Sequence, residues 1–144
     1  MSPLHFAARK NRTEIIKLLL QQPNIELDTL LVDGKTSPLM MAIQHHALES
    51  VILLTEAGCS FIDGKYKKQY LPLNPHPIVY SVVVEDIPIL EYFLGNDRAL
   101  ENFSKLNMDS ALEYAQSNNI EILRILCTFL NVSEHTKYFP KTPI

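Results

Sequence analysis

The segment Ser2-Pro3-Leu4-His5-Phe6-Ala7-Ala8 returns as Ser37-Pro38-Leu39-Met40-Met41-Ala42-Ile43, and an apolar run follows each copy at the same offset. A repeat every 35 residues restricts the chain to stacked supersecondary units, because a unit of that size cannot bury its apolar face alone. The same template finds two weaker copies, Pro77-Ile78-Val79-Tyr80-Ser81-Val82 and Ser110-Ala111-Leu112-Glu113-Tyr114-Ala115. The anchors stand at 3, 38, 77 and 110, so the spacings are 35, 39 and 33. A second block keeps the register: Glu14–Leu20, Glu49–Leu54, Pro88–Leu94 and Glu121–Leu126.

These blocks read as helices on physical grounds. Pro3 and Pro38 suit the first turn of a helix, where the missing N–H has no partner to lose. The short stretch Leu4–Lys10 carries small residues that let neighbours approach, while Ile15, Ile16, Leu18, Leu19 and Leu20 make a more apolar second helix. Gly58 and Gly95 are read as left-handed residues ending second helices. Each helix is too short to be stable in water, so burial between neighbouring pairs must supply the stability. The expected pairs are 3–10 with 13–21, 38–45 with 48–57, 77–84 with 87–94, and 110–117 with 120–130.

Across residues 2–130 the chain resembles the ankyrin-repeat family, whose pattern is Thr-Pro-Leu-His-x-Ala-Ala, a Gly-His turn, Glu-Val-Val-x-Leu-Leu and a closing Ala-Gly. The first copy keeps the opening block nearly intact, and the second keeps Glu56-Ala57-Gly58. The resemblance implies an all-α solenoid of stacked helix-turn-helix pairs with short hairpin-like turns, with repeats near 2–36, 37–75, 76–108 and 109–130, then a tail at 131–144. It also implies protein binding. Two departures matter. The motif histidine survives only as His5, with Met40, Val79 and Leu112 in its other places, so its bridge to the neighbouring turn is expected in the first repeat alone. The Gly-His turn is replaced by Asn11-Arg12, His46-Ala47, Glu85-Asp86 and Asn118-Asn119.

A net charge of −3 gives no electrostatic case for binding nucleic acid. No stretch approaches the roughly 18 consecutive apolar residues of a membrane span. Cys59 and Cys127 fall in different repeats and form no disulfide framework, which points to a reducing, cytoplasmic compartment. The ends look open for a repeat array. Only Met1 precedes Ser2-Pro3, as in a chain cut at the start of a repeat. Ile120, Ile122, Leu123, Ile125, Leu126, Cys127, Phe129 and Leu130 exceed one buried face; the tail with Tyr138, Phe139 and Ile144, or a further repeat, is expected to cover the remainder.

Catalytic chemistry finds little support. His45-His46 with His76 and Glu85-Asp86 is the nearest approach to a metal or acid–base cluster, but adjacent helical histidines point about 100° apart and no zinc-ligand spacing is present. They read as surface histidines. There is no phosphate loop and no nucleophile elbow, so no catalytic residue, metal ligand or cofactor is assigned.

Two features suit partner binding. The connection between the second and third repeats exceeds the usual repeat of about 33 residues and carries Lys65, Tyr66, Lys67, Lys68 and Tyr70, with Pro72, Pro75 and Pro77 stiffening its return. Either it is a solvated loop or it grips an acidic segment of a protein, which a cluster of only three lysines suits better than a lipid headgroup. By the resemblance, the residues after the Ala-Ala pair face a concave groove: Arg9 and Lys10, Gln44 and His45, Val83 and Val84, Gln116 and Ser117. That row is polar at both ends and apolar in the middle, the pattern of a protein interface, unless the valines simply pack inward. The expectation is a non-catalytic protein-interaction module using this groove and the 61–76 finger. The alternative is a target-recognition segment of a larger protein, such as an enzyme or a bacterial effector in a host cytosol.

Overall fold

The computed structural model describes residues 1–32, 36–61, 76–101 and 103–131. Among them are nine helices and no strand: α1 (Pro3–Arg9), α2 (Thr13–Leu20), α3 (Pro38–Gln44), α4 (Leu48–Glu56), α5 (Pro77–Val83), α6 (Ile87–Leu94), α7 (Asp97–Glu101), α8 (Lys105–Asn118) and α9 (Ile120–Asn131). They form the expected all-α stack. The inner helices α1, α3, α5 and α8 pack in succession, and the outer helices α2, α4 and α6 pack behind them. One continuous core runs along the stack, from Leu4, Ala7, Ala8 and Ile16 through Leu39, Ile43, Val51 and Leu54 to Ile78, Val82, Ile89, Leu90 and Phe93, ending in Ala111, Ala115, Ile122 and Leu126.

The helix starts follow from local chemistry. Ser2 caps α1 by accepting from the His5 N–H, and Ser37 caps α3 by accepting from Met40 N–H at 3.2 Å. Each satisfies one of the donors that a helix start leaves unpaired. Proline stands at the start of α1, α3, α5 and α6. His5 then extends the cap into a tertiary tie. Its Nε2 donates to the Thr36 carbonyl at 2.8 Å, which fixes the tautomer and leaves Nδ1 to accept from the Ser2 hydroxyl at 2.7 Å. The Thr36 carbonyl also accepts from Leu31 N–H at 3.0 Å, so the same histidine secures the turn before the second repeat.

The first three turns between inner and outer helices keep a left-handed backbone without glycine, with φ 53° at Asn11, 57° at His46 and 57° at Glu85, whereas Asn119 between α8 and α9 is extended at φ −154°. The left-handed conformation costs a non-glycine residue energy, and each of those three side chains makes a compensating bond to the next repeat. Ser50 Oγ donates to Asn11 Oδ1 at 2.7 Å, His46 Nδ1 donates to Asp86 Oδ2 at 2.8 Å, and Asn119 Nδ2 donates to Glu85 Oε1 at 3.0 Å. A polar ladder therefore runs along the turns where the family pattern has Gly-His. Of the two glycines read as left-handed, Gly58 has φ +99° but Gly95 has φ −91°. Gly95 ends α6 in an ordinary conformation, and only Gly58 needs its freedom.

The largest departure from the expected pairs lies between α6 and α9. The sequence predicts a helix over 110–117; α8 begins five residues earlier because Ser104 Oγ caps it, accepting from Asn107 N–H at 3.1 Å, and because Met108 is buried. A short extra helix, α7, precedes it and buries Ala99 and Leu100. From α7, Arg98 reaches back to the end of α4. It donates to the Cys59 carbonyl at 2.7 Å and to the Thr55 carbonyl, and its guanidinium lies 4.5 Å over the Phe61 ring. At the other end of α9, Leu126 and Phe129 are buried, so the surface expected to need a cover is closed at those residues.

Candidate protein-interaction surface

The eight groove positions occupy one register. Arg9 ends α1 with Lys10 as its C-cap, Gln44 and His45 do the same for α3, and Val83 and Val84 for α5, while Gln116 and Ser117 lie in the last turn of α8. Since these four helices pack in succession, the residues form a row across the stack. Arg9, Lys10, Gln44, His45, Gln116 and Ser117 are exposed. Val83 and Val84 are half-buried and packed against the core, and the Tyr114 hydroxyl donates to the Val83 carbonyl at 3.3 Å. The middle of the row thus offers less open apolar surface than its composition suggests. Val82 behind it is fully buried. The helices α3 and α5 carry Ile43 and Val82 where α1 and α8 carry Ala8 and Ala115. Branched side chains hold backbones further apart than alanine does.

Lys65, Tyr66, Lys67, Lys68 and Tyr70 lie outside the described residues, as do Tyr138, Phe139 and Ile144. The residues described on either side are Phe61 and His76. Phe61 and His76 stack with ring centroids 6.1 Å apart, Phe93 meets Phe61 edge-on at 5.9 Å, and Phe103 lies 5.2 Å from His76. This aromatic clasp, with Arg98 over one face, brings Phe61 and His76 together inside the core.

The histidines separate into three environments rather than one surface group. His45 is exposed, His46 holds Asp86, and His76 is buried. Reading His76 as a surface residue was wrong because it replaces the capping serine: its Nδ1 accepts from Ile78 N–H at 3.1 Å, and its ring joins the clasp. Its Nε2 lies towards the Ala99 carbonyl without hydrogen-bond geometry, and burial pushes its pKa down to about 4. Burial likewise pushes the Cys59 thiol up to about 12, leaving it protonated and unreactive, while Cys127 is exposed; neither is in a disulfide. No group of three or more His, Cys, Asp or Glu among the described residues is placed to hold a metal ion, and no described helix is long and apolar enough to cross a membrane.

One exposed feature escaped the groove argument. Phe6 on α1 and Ile15 and Leu18 on α2 are large, apolar and open to solvent. The place of Ile15 is buried in every later repeat, at Ser50, Ile89 and Ile122, whereas the places of Leu18 are half-buried there, at Leu53, Tyr92 and Ile125.

A search among curated proteins finds no match for the chain. The family model described as "Ankyrin repeats (3 copies)" matches residues 1–65, the stretch holding α1 to α4 with the Ser-Pro-Leu caps and the His5 tie. Residues 1–65 are thus similar to ankyrin repeats, which are in general non-catalytic modules for binding other proteins, and the all-α stack that continues beyond them is consistent with an ankyrin-repeat protein.

Proposed function

We propose that this chain binds a partner protein along the row Arg9, Lys10, Gln44, His45, Val83, Val84, Gln116 and Ser117, together with the lysines and tyrosines of the 61–76 finger, and that it performs no chemistry of its own. The observation that carries this reading is the shared register: all eight residues sit at the same place on successive packed helices, so one elongated partner meets them in order. The partner carries an acidic segment facing Lys65, Lys67 and Lys68 and an aliphatic one facing Val83 and Val84. Phe61 and His76, which flank the lysine- and tyrosine-bearing segment in the sequence, stack directly ahead of α5, the valines' helix. Two unpaired cysteines suit a reducing compartment such as the cytoplasm.

The test separates the two chemistries. Partners are captured from lysate and identified by mass spectrometry, and the purified pair is then followed kinetically. Replacing Lys65, Lys67 and Lys68 by Glu should slow association and remove most of its salt dependence, as charges at an interface rim do. Val83→Asp should chiefly speed dissociation and cost on the order of 2 kcal/mol, as a central contact does. If both variants bind like the parent with unchanged circular dichroism, the row is not the binding surface and the outer helices α2 and α4 are next to be tested.

A further inference from the structure

The two signs of charge are not mixed along the stack. Residues 1–24 hold four lysines and arginines against one acidic residue, and residues 76–131 hold three against eight. The separation is sharper on the side that carries the groove row. Arg9 ends α1, Lys10 caps it and Arg12 stands just ahead of α2; all three are exposed and in no ion pair among the described residues. At the other end Glu113 stands one turn before Gln116 on α8, and Asp109 one turn before Glu113, so the three share one stripe of that helix. Both carboxylates are exposed and likewise in no ion pair among the described residues, and Glu85, next to Val84, is exposed as well. Lys105, at the far start of α8, is the one described cation on that stripe. Between the ends Gln44 is uncharged, and Asp86 is engaged through both oxygens, by His46 Nδ1 at 2.8 Å and by Ile89 N–H at 3.0 Å.

Neighbouring packed helices stand about 8–10 Å apart, so three steps put α1 and α8 roughly 30 Å from each other. That is several times the screening length of about 8 Å at physiological salt. The two ends therefore do not neutralise each other, and each acts on whatever lies beside it. We propose that this polarity fixes the direction in which the partner protein lies along the row. The partner's segment carries an acidic end over Arg9, Lys10 and Arg12, an aliphatic middle at Val83 and Val84, and a basic end over Glu85, Asp109 and Glu113. This deepens the reading of the row as the binding surface and rests on it; the acidic end is distinct from the stretch that faces Lys65, Lys67 and Lys68. The reverse placement sets like charges together at both ends, and juxtaposed like charges reject a wrong arrangement more strongly than matched ones add affinity. An extended segment of about nine residues spans the distance.

The experiment uses the full chain with an acceptor dye on Cys127, which is exposed on α9 beside α8, while Cys59 is buried. The probe is a synthetic peptide with a glutamate block, an aliphatic middle and a lysine block, carrying a donor dye at one end or the other. Energy transfer to Cys127 should be greater from the lysine end. Replacing Arg9, Lys10 and Arg12 by Glu, or Asp109 and Glu113 by Lys, should weaken peptide binding by about tenfold with circular dichroism unchanged. The two sets combined should restore binding with the order of the ends reversed. Arg9→Ala with Lys10→Ala, which removes charge without placing anions at a helix end, serves the same comparison should the triple reversal unfold the chain. Equal transfer from both ends, or no reversal in the combined variant, overturns the polarity while the row stands. No binding of the peptide, or binding that neither charge set alters, removes the row and the polarity together. Replacing Lys65, Lys67 and Lys68 by Glu should keep the order of the ends; its loss there assigns the acidic end to the finger and overturns the proposal.

Discussion

Two histidines open inner helices, His5 in α1 and His76 ahead of α5, and the molecule treats them differently. His5 is buried with both ring nitrogens engaged, one by Ser2 and the other by the Thr36 carbonyl, so it ties a cap to the turn of the next repeat. His76 is buried with Nδ1 engaged by Ile78 N–H and Nε2 without a hydrogen-bond partner, and its ring serves as one plate of the aromatic clasp. The same side chain at neighbouring places in the repeat is a polar bridge at one end of the stack and a flat apolar filler in its middle. The difference shows how the array trades one kind of junction for another. Where the repeat pattern is kept, the capping histidine joins the units; at the long connection, ring packing and Arg98 are added to the His46–Asp86 bond.

The largest test of that contrast removes the clasp's centre. Phe93 is fully buried and meets both Phe61 and Tyr92, so Phe93→Ala should cost about 3–5 kcal/mol of unfolding free energy, as large core truncations do. Leu18→Ala in the open face of the first repeat should cost less than about 0.5 kcal/mol, the usual scale for exposed substitutions. Denaturant midpoints of the two variants decide the matter, and comparable losses would mean that the end face is already packed in solution.

Next in size is the pH dependence that His76 brings. Its ordinary pKa is 6.5 and burial lowers it to about 4 in the folded chain. Between those values the unfolded chain takes up a proton that the folded one refuses. The stabilisation is therefore complete above 6.5 and is lost as pH falls, reaching on the order of 3 kcal/mol at the acid end. His76→Asn, which keeps a cap acceptor and cannot titrate, should flatten this part of the profile. Urea midpoints of parent and variant at pH 7.5, 5.5 and 4.5 measure it, and parallel profiles would place the acid sensitivity elsewhere.

The smallest effect distinguishes the two helix-ending glycines. Gly58 has φ +99°, so Gly58→Ala should destabilise by about 1 kcal/mol although nothing lies within 4 Å of the new methyl group. Gly95 has an ordinary φ, and its nearest neighbours, the Glu91 and Tyr92 carbonyl oxygens, would be 3.7 Å away. Gly95→Ala should be neutral or stabilise by up to about 1 kcal/mol through the unfolded state. Thermal unfolding of both variants reads the difference in sign.

Much of the fold was legible because a repeat states its own boundaries. The prolines, the capping serines and the second apolar block mark four inner and four outer helices, and the left-handed turns fall at Asn11, His46 and Glu85, as the missing Gly-His pairs indicate. The shared register of the proposed row follows in the same way, as positions within a template. Less legible was whether those positions present open apolar surface: Val83 and Val84 pack against the core, and that depends on how far α5 stands from its neighbours.

The sequence by itself determined the all-α stack, its register and the His5 tie, because each rests on contacts within one repeat or between adjacent ones, and the repeat writes those contacts more than once. Only the tertiary structure decided the rest. Residues 97–104 match no template, and the partners of Arg98 lie 39 and 43 residues earlier in the chain. His76 looks like a loop histidine until Phe61, Phe93 and Phe103 close around it. Nor does any single window show that Phe6, Ile15 and Leu18 are uncovered, since their residue types suit a buried face and exposure is set by what stacks upon them. Local periodicity fixes which side of a helix is apolar, but the assembled neighbours decide which apolar side remains open to water.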